Sequence, residues 1–213
     1  MKKVILGLSL ISIICLCSCD PYHLNNWWKT VDNKNPDVVF MGDSITAYAD
    51  WDELLPNTNS YNIAVPGHII TNTRDYIPRL KALNPKTVFV MVGINNYVNS
   101  DYEWERDYTE LLTLLKSIEN NNLLYKLNKV YIQSMLPTRD DFACFNDKTL
   151  SRNKWLKDKV ESFGFTYLDI HPLFLDDDGE TLKKEYSLDG IHLTQDGFET
   201  WATFLKDNCP EIK

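Results

Sequence analysis

Five short apolar runs alternate with longer amphipathic segments along most of the chain. Each run is a near-continuous series of β-branched, aromatic and other apolar residues rather than an apolar–polar alternation. This pattern is typical of strands that are covered on both faces. The predicted strands are Val38–Met41, Tyr61–Val65, Thr87–Val92, Val130–Met135 and Thr166–Ile170. Because helical segments separate these strands, the pattern predicts βαβ units, right-handed crossovers and a parallel sheet.

The segments between and after the strands have the periodicity of amphipathic helices. A helix after Thr71 must hold Pro78 in its first turn or bend there, and Asn84 followed by a proline ends it. Thr194 is a suitable N-cap for the last helix, and Gly164 closes the one before it. The other predicted helices are Tyr102–Glu119, Lys148–Phe163 and Thr194–Asp207. The whole pattern predicts an α/β protein: a three-layer α/β/α sandwich with a five-stranded parallel sheet, flavodoxin-like in character.

The N-terminal segment has the pattern of a targeting signal, and we expect it to lie outside the fold. Two lysines precede the apolar run Val4–Leu16, which is typical of a signal peptide and is shorter than the roughly 20 residues that span a bilayer. A short N-terminal membrane anchor is the alternative. The residues Leu16-Cys17-Ser18-Cys19 resemble the lipobox of bacterial lipoproteins. The resemblance implies lipidation of Cys19, a membrane partner and a place in the bacterial cell envelope. We therefore expect a signal peptide over 1–18, a tether over 19–36 and one domain over 37–213.

Charge and cysteine content remove several classes of function. The 213-residue chain has a formal net charge of −8 and shows no basic patch, which argues against a nucleic-acid partner. It contains no CxxC or HExxH motif, so we predict no metal site and no cofactor. Once the signal segment is removed, Cys144 and Cys209 remain, and the sequence leaves open whether they pair.

Polar and glycine residues collect where the predicted strands end. Parallel sheets bind ligands at the carboxyl ends of their strands, so these residues are the candidates for chemistry. Taken singly, each has a structural explanation as a helix cap or a turn. Together they supply a nucleophile, a base, an orienting carboxylate and oxyanion donors, the components of acyl transfer. The segments are Gly42-Asp43-Ser44, Pro66-Gly67-His68, Gly93-Ile94-Asn95-Asn96 and, before the last helix, Asp189-Gly190-Ile191-His192.

These four blocks, from Val38 to about Leu205, resemble those of the SGNH or GDSL hydrolases, which are serine esterases and lipases on a flavodoxin-like fold. The resemblance implies that Ser44 is the nucleophile, His192 the base and Asp189 the acid. It also implies an oxyanion hole formed by the N–H groups of Ser44 and Gly67 and by the amide of Asn95. The chain departs from the family pattern at Asn96, where the third block usually has aspartate. Asp43 is interpreted as a local hydrogen-bonding residue rather than the catalytic acid.

The function predicted from these residues is hydrolysis of a carboxylic ester through an acyl-enzyme. Tyr48, Trp51 and Tyr97 lie close in sequence to the site and could either stack on sugar rings or pack against the core. No long apolar lid is visible, so we expect removal of small acyl groups, such as acetyl, from a carbohydrate. The alternatives are a lipase, lysophospholipase or thioesterase acting on longer acyl chains, and a non-catalytic glycan-binding lipoprotein.

Overall fold

A computed structural model describes residues 35–119 and 127–213 of the chain. At its centre is a five-stranded sheet in which every neighbouring pair of strands is parallel. The strands are β1 (Val38–Gly42), β2 (Ser60–Asn62), β3 (Thr87–Met91), β4 (Lys129–Gln133) and β5 (Thr166–Leu168). The predicted α/β class with a five-stranded parallel sheet is confirmed. The signal peptide predicted over 1–18, Cys19 and all but the last two residues of the predicted tether lie outside the described residues.

The strand order is β2-β1-β3-β4-β5, so the chain reverses its direction across the sheet between β1 and β3. In an open α/β sheet such a reversal leaves a crevice at the carboxyl ends of the two strands. Three of the predicted blocks, which contain Ser44, Gly67 and Asn95, follow β1, β2 and β3 in turn. The topology therefore brings them to one edge of the sheet.

Helices cover both faces of the sheet. The first helix predicted after Thr71 is two helices that meet at Tyr76, because Pro78 occupies the first turn of the second one. Thr194 is the N-cap predicted for the last helix, and its hydroxyl accepts from the backbone N–H of Gly197 at 3.3 Å. The helices are α1 (Ser44–Ala47), α2 (Trp51–Leu54), α3 (Ile70–Asp75), α4 (Ile77–Leu83), α5 (Asp101–Ile118), α6 (Asn146–Ser162) and α7 (Gln195–Asn208). None of the helices in the described ranges is long and apolar enough to cross a membrane.

Two hydrophobic clusters fill the space between the sheet and its helices. Alternate residues of β1 face opposite sides, so Phe40 belongs to the cluster under α1, α2 and α7, and Met41 to the cluster under α3 to α6. Both faces of the strand are buried, which explains why the strand sequences are continuously apolar. Trp51 is buried and stacks on Phe40 with 3.8 Å between the ring centroids. Of the two interpretations of Trp51, core packing is therefore the one observed.

The predicted strand Tyr61–Val65 ends three residues early, at Asn62. The Asn62 side chain accepts from the N–H of Ala64 and donates to the carbonyl of Thr46, both at 3.0 Å. An asparagine that bonds its own backbone two residues on forms a turn instead of continuing a strand. The N–H of Val65 still donates to the carbonyl of Gly42 at 3.1 Å, so the segment remains tied to the end of β1.

Candidate active site

Ser44 begins α1 directly after the end of β1. Asp43 is the N-cap of this helix, and its carboxylate accepts from the N–H of Ile45 at 3.1 Å. Gly42 permits the narrow exit from the sheet, because a Cβ at this position would lie 2.1 Å from the carbonyl oxygen of Met91 at the end of β3. The Ser44 hydroxyl is thus presented by a short helix at the carboxyl end of β1, beside the end of β3.

Asp189 and His192 share a tight turn immediately before α7. The Asp189 carboxylate accepts from the backbone N–H groups of Ile191 and His192 at 3.1 and 2.9 Å. Its second oxygen accepts from the Nδ1 atom of His192 at 2.7 Å. Gly190 has a φ of +96°, and a Cβ there would lie 2.9 Å from the carbonyl oxygen of Arg139. Only glycine fits both constraints, so Gly190 makes the turn that lets the two side chains converge.

The turn brings His192 against Ser44, which lies 148 residues earlier in the chain. The Nε2 atom of His192 lies 2.9 Å from the Ser44 hydroxyl oxygen. Because Asp189 accepts from Nδ1, the proton belongs on Nδ1 and Nε2 keeps a lone pair for the serine proton. Burial alone would raise the pKa of Asp189, but the hydrogen bonds from His192 and Ile191 outweigh it and hold that pKa below its usual value. The three side chains form the sequence of donors and acceptors that activates a serine.

Gly67 and Asn95 lie beside each other at the same edge of the sheet. The amide nitrogen of Asn95 donates to the carbonyl of His68, the residue after Gly67, at 3.0 Å. An amide carries two N–H hydrogens, so one remains to point elsewhere. Gly67 has a φ of +78°, with nothing within 4 Å of a hypothetical Cβ, so backbone conformation rather than crowding favours glycine there.

Asn96, the departure from the family pattern, is fully buried and ties the third block to the second. Its side-chain oxygen accepts from the N–H of Ile70, the first residue of α3, at 3.0 Å. No hydrogen-bond partner lies within reach of its amide nitrogen among the described residues. The side chain therefore ties the loop after β3 to the start of α3.

Asp43 lies next to Ser44 in sequence but has a different environment from Asp189. It is fully buried, and burial raises its pKa to about 7 in spite of the hydrogen bond from Ile45. The carboxylate that bonds the imidazole of His192 is Asp189. The position of Asp43 is that of a buried helix cap.

Aromatic rings border the mouth of the site. The Tyr48 ring lies 5.1 Å from the imidazole of His192, and Tyr97 is 49% exposed with its ring 4.9 Å from that of Phe145. Phe142 follows at 6.5 Å from Phe145 and comes within reach of Gly190. The row thus runs from the Asn95 loop to the Asp189 turn. Phe142 and Phe145 follow no strand end, so the sequence pattern did not single them out.

The described residues also show where possible metal ligands and the two cysteines lie. In the described parts of the chain, no three histidine, cysteine, aspartate or glutamate side chains are arranged to hold a metal ion. Cys144 is exposed and Cys209 is buried, and both are free thiols.

Comparison with known proteins gives a consistent set of relatives. Residues 40–199 match the model of the GDSL-like Lipase/Acylhydrolase family. Platelet-activating factor acetylhydrolase IB subunit alpha2 of Gallus gallus is 26% identical over 179 residues, which cover 80% of this chain and 74% of that protein.

Among solved structures, a GDSL-like lipase from Bacteroides thetaiotaomicron superposes with a TM-score of 0.68 at 18% identity, covering 82% of this chain and 87% of that one. An acetylxylan esterase from Geobacillus stearothermophilus superposes with a TM-score of 0.58 at 16% identity, covering 84% and 96%. At these identities the structural likeness shows the fold.

Proposed function

Because the chain belongs to the GDSL-like lipase/acylhydrolase family and is a serine ester hydrolase, we propose that it removes small acyl groups, such as acetyl, from a carbohydrate through an acyl-enzyme on Ser44. The observation that carries the catalytic part is the unbroken chain of contacts at the crevice. It runs 2.9 Å from the Ser44 oxygen to His192 and 2.7 Å from His192 to Asp189.

The geometry supports a two-step reaction. Ser44 attacks the ester carbonyl carbon while Nε2 of His192 takes the hydroxyl proton, and Asp189 stabilises the imidazolium that forms. The carbonyl oxygen becomes an oxyanion, which the N–H groups of Ser44 and Gly67 and the Asn95 amide stabilise. Collapse of this intermediate expels the alcohol, which receives the proton from His192. A water molecule then attacks the acyl-enzyme with His192 again as base, and Ser44 recovers its proton as the acid leaves.

The preference for a small acyl group on a sugar rests on what surrounds the reacting serine. Two grooves of about 1030 and 690 Å³ have linings that do not include Ser44, His192 or Asp189, so neither opens directly at the reacting serine. The exposed Tyr97 and the Tyr48 ring offer flat apolar faces to a sugar ring. One protein that the chain resembles is named an acetylhydrolase and another an acetylxylan esterase, and both names are consistent with an acetyl substrate.

Labelling with a fluorophosphonate separates catalysis from a binding role. The wild-type protein should label and hydrolyse p-nitrophenyl acetate, and Ser44→Ala should do neither while melting at the same temperature. Ser151→Ala is the matched control, because Ser151 is an exposed serine on α6 that lines the separate groove. A wild-type protein that fails to label would favour the non-catalytic glycan-binding lipoprotein.

An acyl-length series tests the substrate class. We expect acetyl esters to be cleaved faster than octanoyl esters, and Tyr97→Ala to raise KM for an acetylated oligosaccharide while leaving p-nitrophenyl acetate unchanged. Tyr102→Ala is the matched control. Tyr102 is also an exposed tyrosine, with 75% of its surface accessible, but it lies on α5 and not in the Asn95 loop. Faster cleavage of the octanoyl ester would favour the lipase or thioesterase alternative.

The place of the enzyme is a separate proposal. Acylation of Cys19 would hold the catalytic domain to a membrane of the bacterial cell envelope through the 19–36 tether. The support is the sequence pattern around Cys19, in which an apolar run ends in a lipobox-like motif.

A further inference from the structure

Two cationic side chains of α6 hold the loop that follows the predicted oxyanion donor. Arg152 donates through Nη1 to the carbonyl of Asn96 at 3.1 Å and through Nη2 to the carbonyl of Asn99 at 2.9 Å. Lys148, one helical turn earlier, donates to the carbonyls of Tyr97 and Asn99 at 3.0 and 2.7 Å. Residues four apart share one face of a helix, so both cations reach the same segment, residues 96–99.

The burial of Arg152 makes this contact specific. Its side chain is 5% exposed, its Nε donates to the carboxylate of Asp101 at 3.0 Å, and its guanidinium lies 5.1 Å from the ring centroid of Trp104. A buried charge is costly unless its donors are satisfied, and here each of the three guanidinium nitrogens has an acceptor. A small movement of the 96–99 segment would leave buried donors unpaired, so the guanidinium fixes the position of that segment.

The fixed segment begins one residue after Asn95. Residues 94–96 form a single 3₁₀ turn, so the carbonyl of Asn96 and the Asn95 side chain belong to one rigid unit. From the other side, Ile70 donates to the Asn96 side chain and Asn95 donates to His68. An oxyanion donor must lie within about 2.7–3.1 Å of the developing charge. A displacement of about 1 Å can therefore cost about 100-fold in rate.

We propose that Arg152, supported by Lys148, is a positioning residue for the oxyanion hole that acts on Asn95 through the 96–99 segment. The inference rests on the proposed function, because it assigns to Asn95 a donor in ester hydrolysis. It requires that the contribution of Arg152 to turnover be made through Asn95.

A double-mutant cycle tests this requirement directly. The effect of Arg152→Met on kcat is measured in two backgrounds, wild type and Asn95→Ala, with p-nitrophenyl acetate as substrate. Each rate is divided by the concentration of active sites, which is titrated with fluorophosphonate. In wild type, Arg152→Met should lower kcat by about 10- to 100-fold with little change in KM. In Asn95→Ala the same change should lower kcat less than about twofold, because the group it positions is gone.

Further variants separate this role from a structural one. Arg152→Lys should recover part of the lost kcat, and Lys148→Met should give a smaller loss that also disappears in Asn95→Ala. If Arg152→Met does not fold, Lys148→Met replaces it in the double-mutant cycle with Asn95→Ala. Lys157→Met is the matched control on the same helix and should match wild type, because Lys157 lines the separate groove.

The outcomes distinguish the two proposals. An equal loss of kcat in wild type and in Asn95→Ala would overturn the positioning role of Arg152 while leaving the esterase intact. Full activity of Ser44→Ala in the same assay would overturn the proposed function, and the positioning role with it.

Discussion

Replacing Asp43 by asparagine should make the stability of the protein less sensitive to pH. Asp43 is fully buried, and burial raises its pKa from 3.8 to about 7. A carboxyl group whose pKa is raised in the folded state binds its proton more tightly there than in the unfolded chain. The stability that this proton contributes is fully present below about pH 4 and is lost as the pH rises through about 7.

The size of the effect follows from the same shift. Each pKa unit corresponds to about 1.36 kcal/mol, so a rise from 3.8 to about 7 makes ionisation of Asp43 cost the folded state about 4 kcal/mol. Roughly 2.5 kcal/mol of this is lost between about pH 5 and pH 8. For a domain of this length, the melting temperature would change by about 5–10 °C.

The assay is thermal unfolding of wild type and Asp43→Asn at steps from about pH 5 to pH 8. Asparagine keeps an oxygen that accepts from Ile45, so the helix cap is preserved and only the titrating proton is removed. Burial lowers the pKa of His68, which destabilises the folded state on acidification. That contribution is present in both proteins and cancels in their difference.

The difference in melting temperature, Asp43→Asn minus wild type, should therefore grow with pH and level off above about pH 7. Asp50→Asn makes the same substitution at the N-cap of α2, where the side chain is only partly buried, and is the matched control for the exchange itself. A constant difference for Asp43→Asn over the whole range would refute the reasoning.

Three further predictions concern the oxyanion hole, the exit from β1 and the N-terminal cysteine. Asn95→Ala should lower kcat by about 10²–10³ with little change in KM. Asn96→Ala should chiefly lower the free energy of unfolding, by about 1–3 kcal/mol, as measured by urea unfolding. A larger loss of kcat in Asn96→Ala than in Asn95→Ala would move the oxyanion role to Asn96. Gly42→Ala should destabilise the fold by about 3 kcal/mol in the same unfolding assay, because its Cβ would meet Met91; a stable variant would show that β1 and β3 can separate. Cys19→Ser should move the protein from the membrane to the soluble fraction, and retention after a carbonate wash would rule out a lipid anchor there.

The fold was largely predictable because its strands are buried on both faces. A continuously apolar run such as Val38–Met41 has few alternatives in a chain that also carries helical periodicity. The bounds were less predictable where a side chain bonds its own backbone. Asn62 ends β2 in this way, and an apolar count cannot detect such a turn.

The candidate site was predictable as far as its parts follow strand ends. Ser44 and Asn95 do so, and the Asp189–His192 pair precedes an N-cap that the sequence shows clearly. The hydrogen bonds from Arg152 and Lys148 of α6 to residues 96–99 were not predicted. They depend on how a helix packs against a loop about 50 residues away in the chain. One signal was present: Lys148 lies in the first turn of a helix, where the dipole disfavours a cation.

The position of the Asp189–His192 turn has a consequence for how the enzyme is made. The ribosome adds Ser44 148 residues before His192, so the serine is present in the nascent chain well before its proposed base and acid. The turn leads directly into α7, which packs with Trp201 against Trp51 and with the Trp201 indole N–H donating to Gln133 at 2.8 Å. A nascent chain that has not yet reached His192 therefore carries Ser44 without its proposed base. Hydrolysis requires His192 to lie against Ser44, so ester cleavage reports when the segment that leads into α7 has reached the carboxyl end of β1.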